Sequence, residues 1–96
     1  MSILTVTTAN VGQTVTTNIL YVKSIRVHGL AGSVAGTLYR LVDPTDNSLL
    51  FRTEAAGAWY VEESITHRYW LNGVKVAALG QGEIDIEYDQ RLETRY

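Results

Sequence analysis

The chain is 96 residues long, carries a net charge of −2 and has no cysteine. That length makes one domain, 1–96, with a modest core, and the missing thiols exclude disulfides and thiolate metal sites as its support. Its 8 basic and 10 acidic residues form no basic cluster, which excludes nucleic-acid binding that relies on phosphate contacts.

Met1-Ser2-Ile3-Leu4-Thr5-Val6 opens the chain without the basic and apolar regions of a secretory signal. No apolar run reaches membrane-spanning length, so a soluble protein away from membranes is expected. Threonine, valine, isoleucine and tyrosine favour a pleated, half-buried surface. Turn residues recur at Asn10 to Gln13, Gly29 to Ser33, Asp43 to Ser48, Ala55 to Ala58, Asn72-Gly73 and Gly80 to Gly82. Between them strands are predicted at about 2–8, 14–27, 35–42, 49–54, 59–67, 68–72, 74–79 and 83–89, the second breaking near Asn18 and the fifth bending near Ser64. Asp43-Pro44-Thr45-Asp46 has proline at the favoured second position of a type I turn. The predicted fold class is all-β, an antiparallel β-sandwich of seven to eight short strands with a jelly-roll-like layout. Extended arms are expected at 1–8 and 90–96.

The last third predicts a β-meander. Asn72-Gly73 between apolar runs reads as a two-residue hairpin turn, pairing Leu71 with Val74 and Trp70 with Lys75. Gly80-Gln81-Gly82 then pairs Leu79 with Glu83. Both registers put Val74, Val76, Ala78, Ile84, Ile86 and Tyr88 on a buried face with Leu71, Tyr69 and His67. Arg68, Trp70, Lys75, Ala77, Leu79 and the acidic row Glu83, Asp85, Glu87 and Asp89 fall on the wet face.

Candidate chemistry is sparse. Carboxylates on alternate positions of one strand stand roughly 6.5–7 Å apart and diverge, whereas calcium needs six to eight converging oxygens. The row reads as a solvated face neutralised by Arg68 and Lys75, or as an acidic patch meeting a basic partner. Asp43, Asp46 and Asn47 read as turn formers, and His28 and His67 as partly buried imidazoles. No nucleophile elbow, phosphate loop or His-Glu metal motif occurs. No catalytic residue, metal or cofactor is therefore expected. Aromatics remain: Trp59-Tyr60 and Tyr69-Trp70 each force one ring outward, and Trp70 is the one expected outside. An exposed indole fits a subunit interface, local packing over Lys75, or a sugar.

Several features occur together: Lys23-Ser24-Ile25-Arg26-Val27 before a glycine- and alanine-rich loop, Gly36-Thr37-Leu38-Tyr39-Arg40-Leu41-Val42-Asp43 before a polar turn, and the glycine-bounded strands ending in Glu83-Ile84-Asp85-Ile86-Glu87-Tyr88. Over about residues 20–88 this order resembles the small β-sandwich virion proteins of tailed bacteriophages. The resemblance implies a non-enzymatic capsid decoration (cement) protein, made in the host cytoplasm and held on the capsid surface. Its implied partners are the major capsid protein and copies of itself, as a homo-oligomer with a trimer favoured. The partner-binding residues expected are Trp59, Tyr60, Trp70, Arg68, Glu83, Asp85 and Glu87. Two other readings use the same fold: a carbohydrate- or receptor-binding module, and a tail or neck connector.

Overall fold

The computed structural model describes residues 2–30 and 34–90. They form eight strands: β1 (Ser2–Thr7), β2 (Thr14–Thr16), β3 (Leu20–His28), β4 (Leu38–Val42), β5 (Leu49–Glu54), β6 (Val61–Trp70), β7 (Val74–Leu79) and β8 (Glu83–Gln90). Two four-stranded sheets, in the orders β1-β8-β3-β6 and β2-β7-β4-β5, are antiparallel throughout. Every connection except β4–β5 passes from one sheet to the other. This is the two-sheet, eight-stranded jelly-roll arrangement.

The β4–β5 connection is the expected polar turn. The Asp43 N–H donates to the Ser48 carbonyl at 2.8 Å and the Asn47 N–H to the Asp43 carbonyl at 2.8 Å. One carboxylate oxygen of Asp43 accepts from the Thr45 N–H at 2.8 Å and from its hydroxyl at 2.6 Å. The break predicted near Asn18 also appears, between β2 and β3. The stretch expected to serve as an N-terminal arm is mostly β1, laddered onto β8 from Ser2↔Tyr88 to Thr7↔Glu83. Of the C-terminal arm, 91–96 lies outside the described residues.

The meander is where the sequence reading fails. β6, β7 and β8 are consecutive but unpaired: β6 pairs with β3, β7 with β4 and β2, and β8 with β1 and β3. Alternation shows which side chains face a core and leaves open which strand lies alongside, so Val74, Val76, Ile84 and Ile86 are buried as expected. The flanking residues decide the matter. A hairpin buries Leu71 and exposes Trp70, whereas the crossover leaves Leu71 63% exposed and Trp70 only 3% exposed. An indole removes about 150–250 Å² from water, more than a leucine does, at ~25 cal/mol per Å².

Bulges account for the other errors. Arg40↔Ala78 is followed by Leu41↔Val76, which skips Ala77 and turns Leu79 inward. Lys23 is the extra residue of β3 against β8, so Leu20 and Val22 face the core before it and Ile25 and Val27 after it. Strands predicted separately at 59–67 and 68–72 are one strand, β6, bulged at Thr66–His67 opposite Lys23. His67 takes φ 51 there and is exposed rather than buried. Tyr69, also expected inside, is exposed as well.

Two glycines make the crossovers fit. Gly73 and Gly82 have φ of 86 and 93, and a Cβ would run into the backbone carbonyl oxygens of Thr16 and His28 respectively. Replacing Trp70 with alanine is expected to cost about 3–5 kcal/mol, and Gly73→Ala more than ~1 kcal/mol. Gly57→Ala, where a Cβ meets open space, stays within ~0.5 kcal/mol. Urea unfolding of the three variants checks this. A neutral Trp70→Ala contradicts the crossover.

Candidate functional site

Two solvent-facing surfaces collect the residues of interest. The first is the outer face of the β1-β8-β3-β6 sheet. Glu83, Asp85, Glu87 and Asp89 alternate along β8, and β1 and β3 supply their neighbours. Asp85 lies between Thr5 and Arg26, Glu87 between Ile3 and Ser24, and Glu83 between Thr7 and His28. The Thr5 hydroxyl donates to Asp85 Oδ1 at 2.7 Å, and the Ser24 hydroxyl to Glu87 Oε1 at 2.9 Å. His28 Nε2 stands 3.6 Å from Asp85 Oδ2, and Lys23 Nζ 3.3 Å from Asp89 Oδ2. The lysine contact holds the Asp89 carboxyl below its ordinary range.

The row is therefore a solvated face balanced by its neighbours. The basic residues beside it are Lys23, Arg26 and His28 on β3, not Arg68 and Lys75 as expected. Arg68 is exposed on β6 with β3 in between, and Lys75 belongs to the other sheet. A shallow hollow of about 130 Å³ lies among Ile3, Ser24, Arg26, Glu63, Asp85 and Glu87. Exposed Ile3, Val61, Ile65 and Tyr69 lie along the sheet's two edge strands. Tyr69 packs on Tyr21 with ring centroids 4.8 Å apart, and His67 Nδ1 is 3.5 Å from the Tyr21 hydroxyl. Among the described residues no group of three or more His, Asp or Glu is placed to hold a metal.

The second surface is one end of the sandwich. Glu83 pairs with both Thr7 and His28, His28 also pairs with Val61, and Leu38 pairs with Glu54. Segments 8–13, 29–30, 34–37, 55–60 and 80–82 therefore adjoin their strands at the same end. Segments 29–30 and 34–37 are both joined to 55–60 by main-chain bonds, within the pair Gly29–Leu30 and Trp59–Tyr60 and the pair Gly36–Thr37 and Ala55. The Trp59 N–H donates to the Leu30 carbonyl at 2.9 Å, the Gly29 N–H to the Tyr60 carbonyl at 2.6 Å, and the Gly36 N–H to the Ala55 carbonyl at 2.8 Å. Trp59 is 73% exposed. It and Leu30 take φ of 60 and 61, a left-handed conformation that costs bulky residues about 1–3 kcal/mol and persists only where the surroundings enforce it.

The residues expected to bind a partner thus separate. Glu83, Asp85 and Glu87 share the sheet face, and Trp59 marks the loop end. Arg68 stands apart on β6, and Trp70 is a core residue. Tyr60 faces inward, its ring stacked on Tyr39 at 6.5 Å with an interplanar angle of 16°. Its hydroxyl donates to Glu62 Oε1, which also accepts from the Thr53 hydroxyl at 2.6 Å. Thr53 is on β5 and Glu62 on β6, so this carboxylate ties the two sheets at their edge. The bonds from Thr53 and then Tyr60 hold the Glu62 carboxyl below its ordinary range, while the bond to Glu62 pushes the Tyr60 phenol up. Burial, then the neighbouring Tyr60, raises Tyr39, whose buried hydroxyl has no hydrogen-bond partner among the described residues.

Sequence reasoning missed the Tyr21–His67–Tyr69 group as a surface feature, because the bulge at Lys23 and Thr66–His67 leaves no local signal. It passed over Ile3 and Ile65, although alternation along unbulged β1 puts Ile3 outward. It missed the Thr53–Glu62 tie because nothing local joins those positions. Comparison with protein-family models, with curated proteins and with solved structures finds no match to this chain.

The shifted carboxylates set a pH dependence. Glu62 and Asp43 lie below their ordinary values of 4.5 and 3.8, Asp43 chiefly through its Thr45 hydroxyl bond. Their contribution is whole above those values and is lost as pH falls through the lowered folded ones. The urea midpoint should fall between pH 5 and pH 3, and Glu62→Gln and Asp43→Asn should each reduce that fall. An unaltered pH profile in both variants contradicts the assignment.

Proposed function

We propose that this chain is a non-enzymatic structural protein of a phage virion, a capsid decoration (cement) protein that bridges subunits of the head. One observation carries the reading: the molecule has two separate surfaces of different character. One is a broad sheet face with apolar edges and a carboxylate row. The other is a narrow, tied loop end tipped by Trp59. A bridging protein needs two surfaces, because contact at one site raises the effective concentration at the next. Jelly-roll sandwiches serve viral capsids and lectins alike, which supports the reading by analogy of fold alone.

The short, laddered strands also suit a stiff part. β8, the carrier of the acidic row, is an inner strand held on both sides by β1 and β3. The free edges of that sheet belong to β1 and β6, where exposed Ile3 and Ile65 are placed to meet neighbouring subunits or sibling copies. A second reading draws on the exposed Trp59 ring, which suits stacking on a sugar in a carbohydrate-binding module.

Sedimentation of the purified protein with expanded heads that lack it tests the proposal. Saturable co-sedimentation and a higher melting temperature of the decorated shell are expected. Protein that stays in the supernatant at every concentration, with tryptophan emission that responds to added oligosaccharide, overturns it in favour of the sugar module.

A further inference from the structure

We infer that a second copy of this chain docks on the outer edge of β6, antiparallel to it, with a two-fold axis at Ile65. The inference stands apart from the decoration reading, and its two-fold replaces the trimer that the phage resemblance implies.

The edge is the first argument. β6 is the longest strand and closes one end of its sheet, and among the described residues its strand partner is β3 alone. Such an edge offers a row of main-chain donors and acceptors to another extended chain. Val61, Ile65 and Tyr69, spaced four apart along it, are all exposed. The bulge does not spoil this spacing. It sets two residues, Thr66 and His67, against Lys23, so Ile65 opposite Ser24 and Tyr69 opposite Tyr21 still share the outer face.

Charge decides the occupant. Glu63 and Glu62 lie two and three residues before Ile65, and His67 and Arg68 lie two and three residues after it. An antiparallel copy centred on Ile65 therefore sets Glu63 opposite the partner's His67 and Glu62 opposite the partner's Arg68. Val61 then faces the partner's Tyr69, and Ile65 faces the partner's Ile65. Acid meets base and apolar meets apolar in each pair, and the two-fold makes every unlike pair twice. The two bulges fall symmetrically on either side of the axis. A parallel copy in register would instead set Glu63 against the partner's Glu63.

The other free edges do not match this pattern. β1 and β2 carry no charged residue, so pairing β6 with either leaves its four ionisable side chains unanswered. β5 carries Arg52 and Glu54, which already bond to each other at 2.6 Å. Within β6, Glu62 accepts from Thr53 and Tyr60, whereas Glu63 and His67 are exposed. The Glu63–His67 pair is therefore the freer one to set the register.

Sedimentation equilibrium of the purified protein tests this, at up to about 1 mM and at low ionic strength, where exposed pairs are least screened. Wild type should approach twice the 10.7 kDa chain mass. Ile65→Lys, which brings two ammonium groups together at the axis, should weaken the dimer tenfold or more with its circular dichroism unchanged. Ile3→Lys, on the opposite edge strand, should leave the dimer as it is. Register is read with Glu63→Lys and with His67→Asp, since His67 has φ 51 and aspartate tolerates left-handed backbone. Each variant alone sets base against base or acid against acid and should self-associate tenfold or more weakly. Mixed together, the two should associate within about threefold of wild type. The new charges then face each other, and one native Glu63–His67 pair is kept. Wild type that stays at the single-chain mass, or settles at three times it, overturns the inference. So does dissociation by Ile3→Lys with Ile65→Lys unaffected, or a mixture that associates no better than its components. Capsid binding is read separately by co-sedimentation, so failure here leaves decoration standing.

Discussion

The contact on which the structure depends is the apolar layer between the sheets. Val22, Ile25, Val27, Ile84, Ile86 and Trp70 of one sheet and Tyr39, Leu41, Val74, Val76 and Leu79 of the other belong to a single buried cluster. Each such side chain contributes about 1.5–3 kcal/mol or more when fully buried. A two-sheet core is also what makes the chain cross so often: strands entering from either sheet supply the layer in turn. The crossing points then come under steric pressure. At Gly73 and Gly82 the main chain passes so close to Thr16 and His28 that no side chain fits.

How far the sequence discloses this depends on the range of the interaction. Alternation is local, and the strands, the Asp43 turn, the inward Val74 and Val76 of β7 and the inward set of β8 are legible from it. Pairing is not local. Asn72-Gly73 looks like a hairpin because left-handed backbone is needed there, and Gly73 does take φ 86. The same conformation serves a crossover, and the choice is made by the indole of Trp70 outbidding Leu71 for the core. Bulges at Lys23, Thr66–His67 and Ala77 shift parity without any residue type that announces them. Hence Leu79 was misplaced outside, and His67 and Tyr69 inside.

The candidate surfaces show the same division. The acidic row was readable because β8 keeps strict alternation, but the basic residues balancing it come from β3, a neighbour only in the folded register. Glu62 shows the cost of such invisibility: it sits in the run Val61-Glu62-Glu63 and looks like surface charge, yet it anchors Thr53 and Tyr60 across the two sheets. The loop end was visible in part, since Trp59 follows four small residues. Its contact with Leu30 emerges only in the folded chain, where the Trp59 N–H donates to the Leu30 carbonyl.

The most direct measurement is electron cryo-microscopy of expanded phage heads incubated with the purified protein. The proposed decoration role predicts added density of this molecule's size, 47 × 24 × 18 Å, at repeated positions on the outer surface of the shell. A bare shell at saturating protein would contradict it.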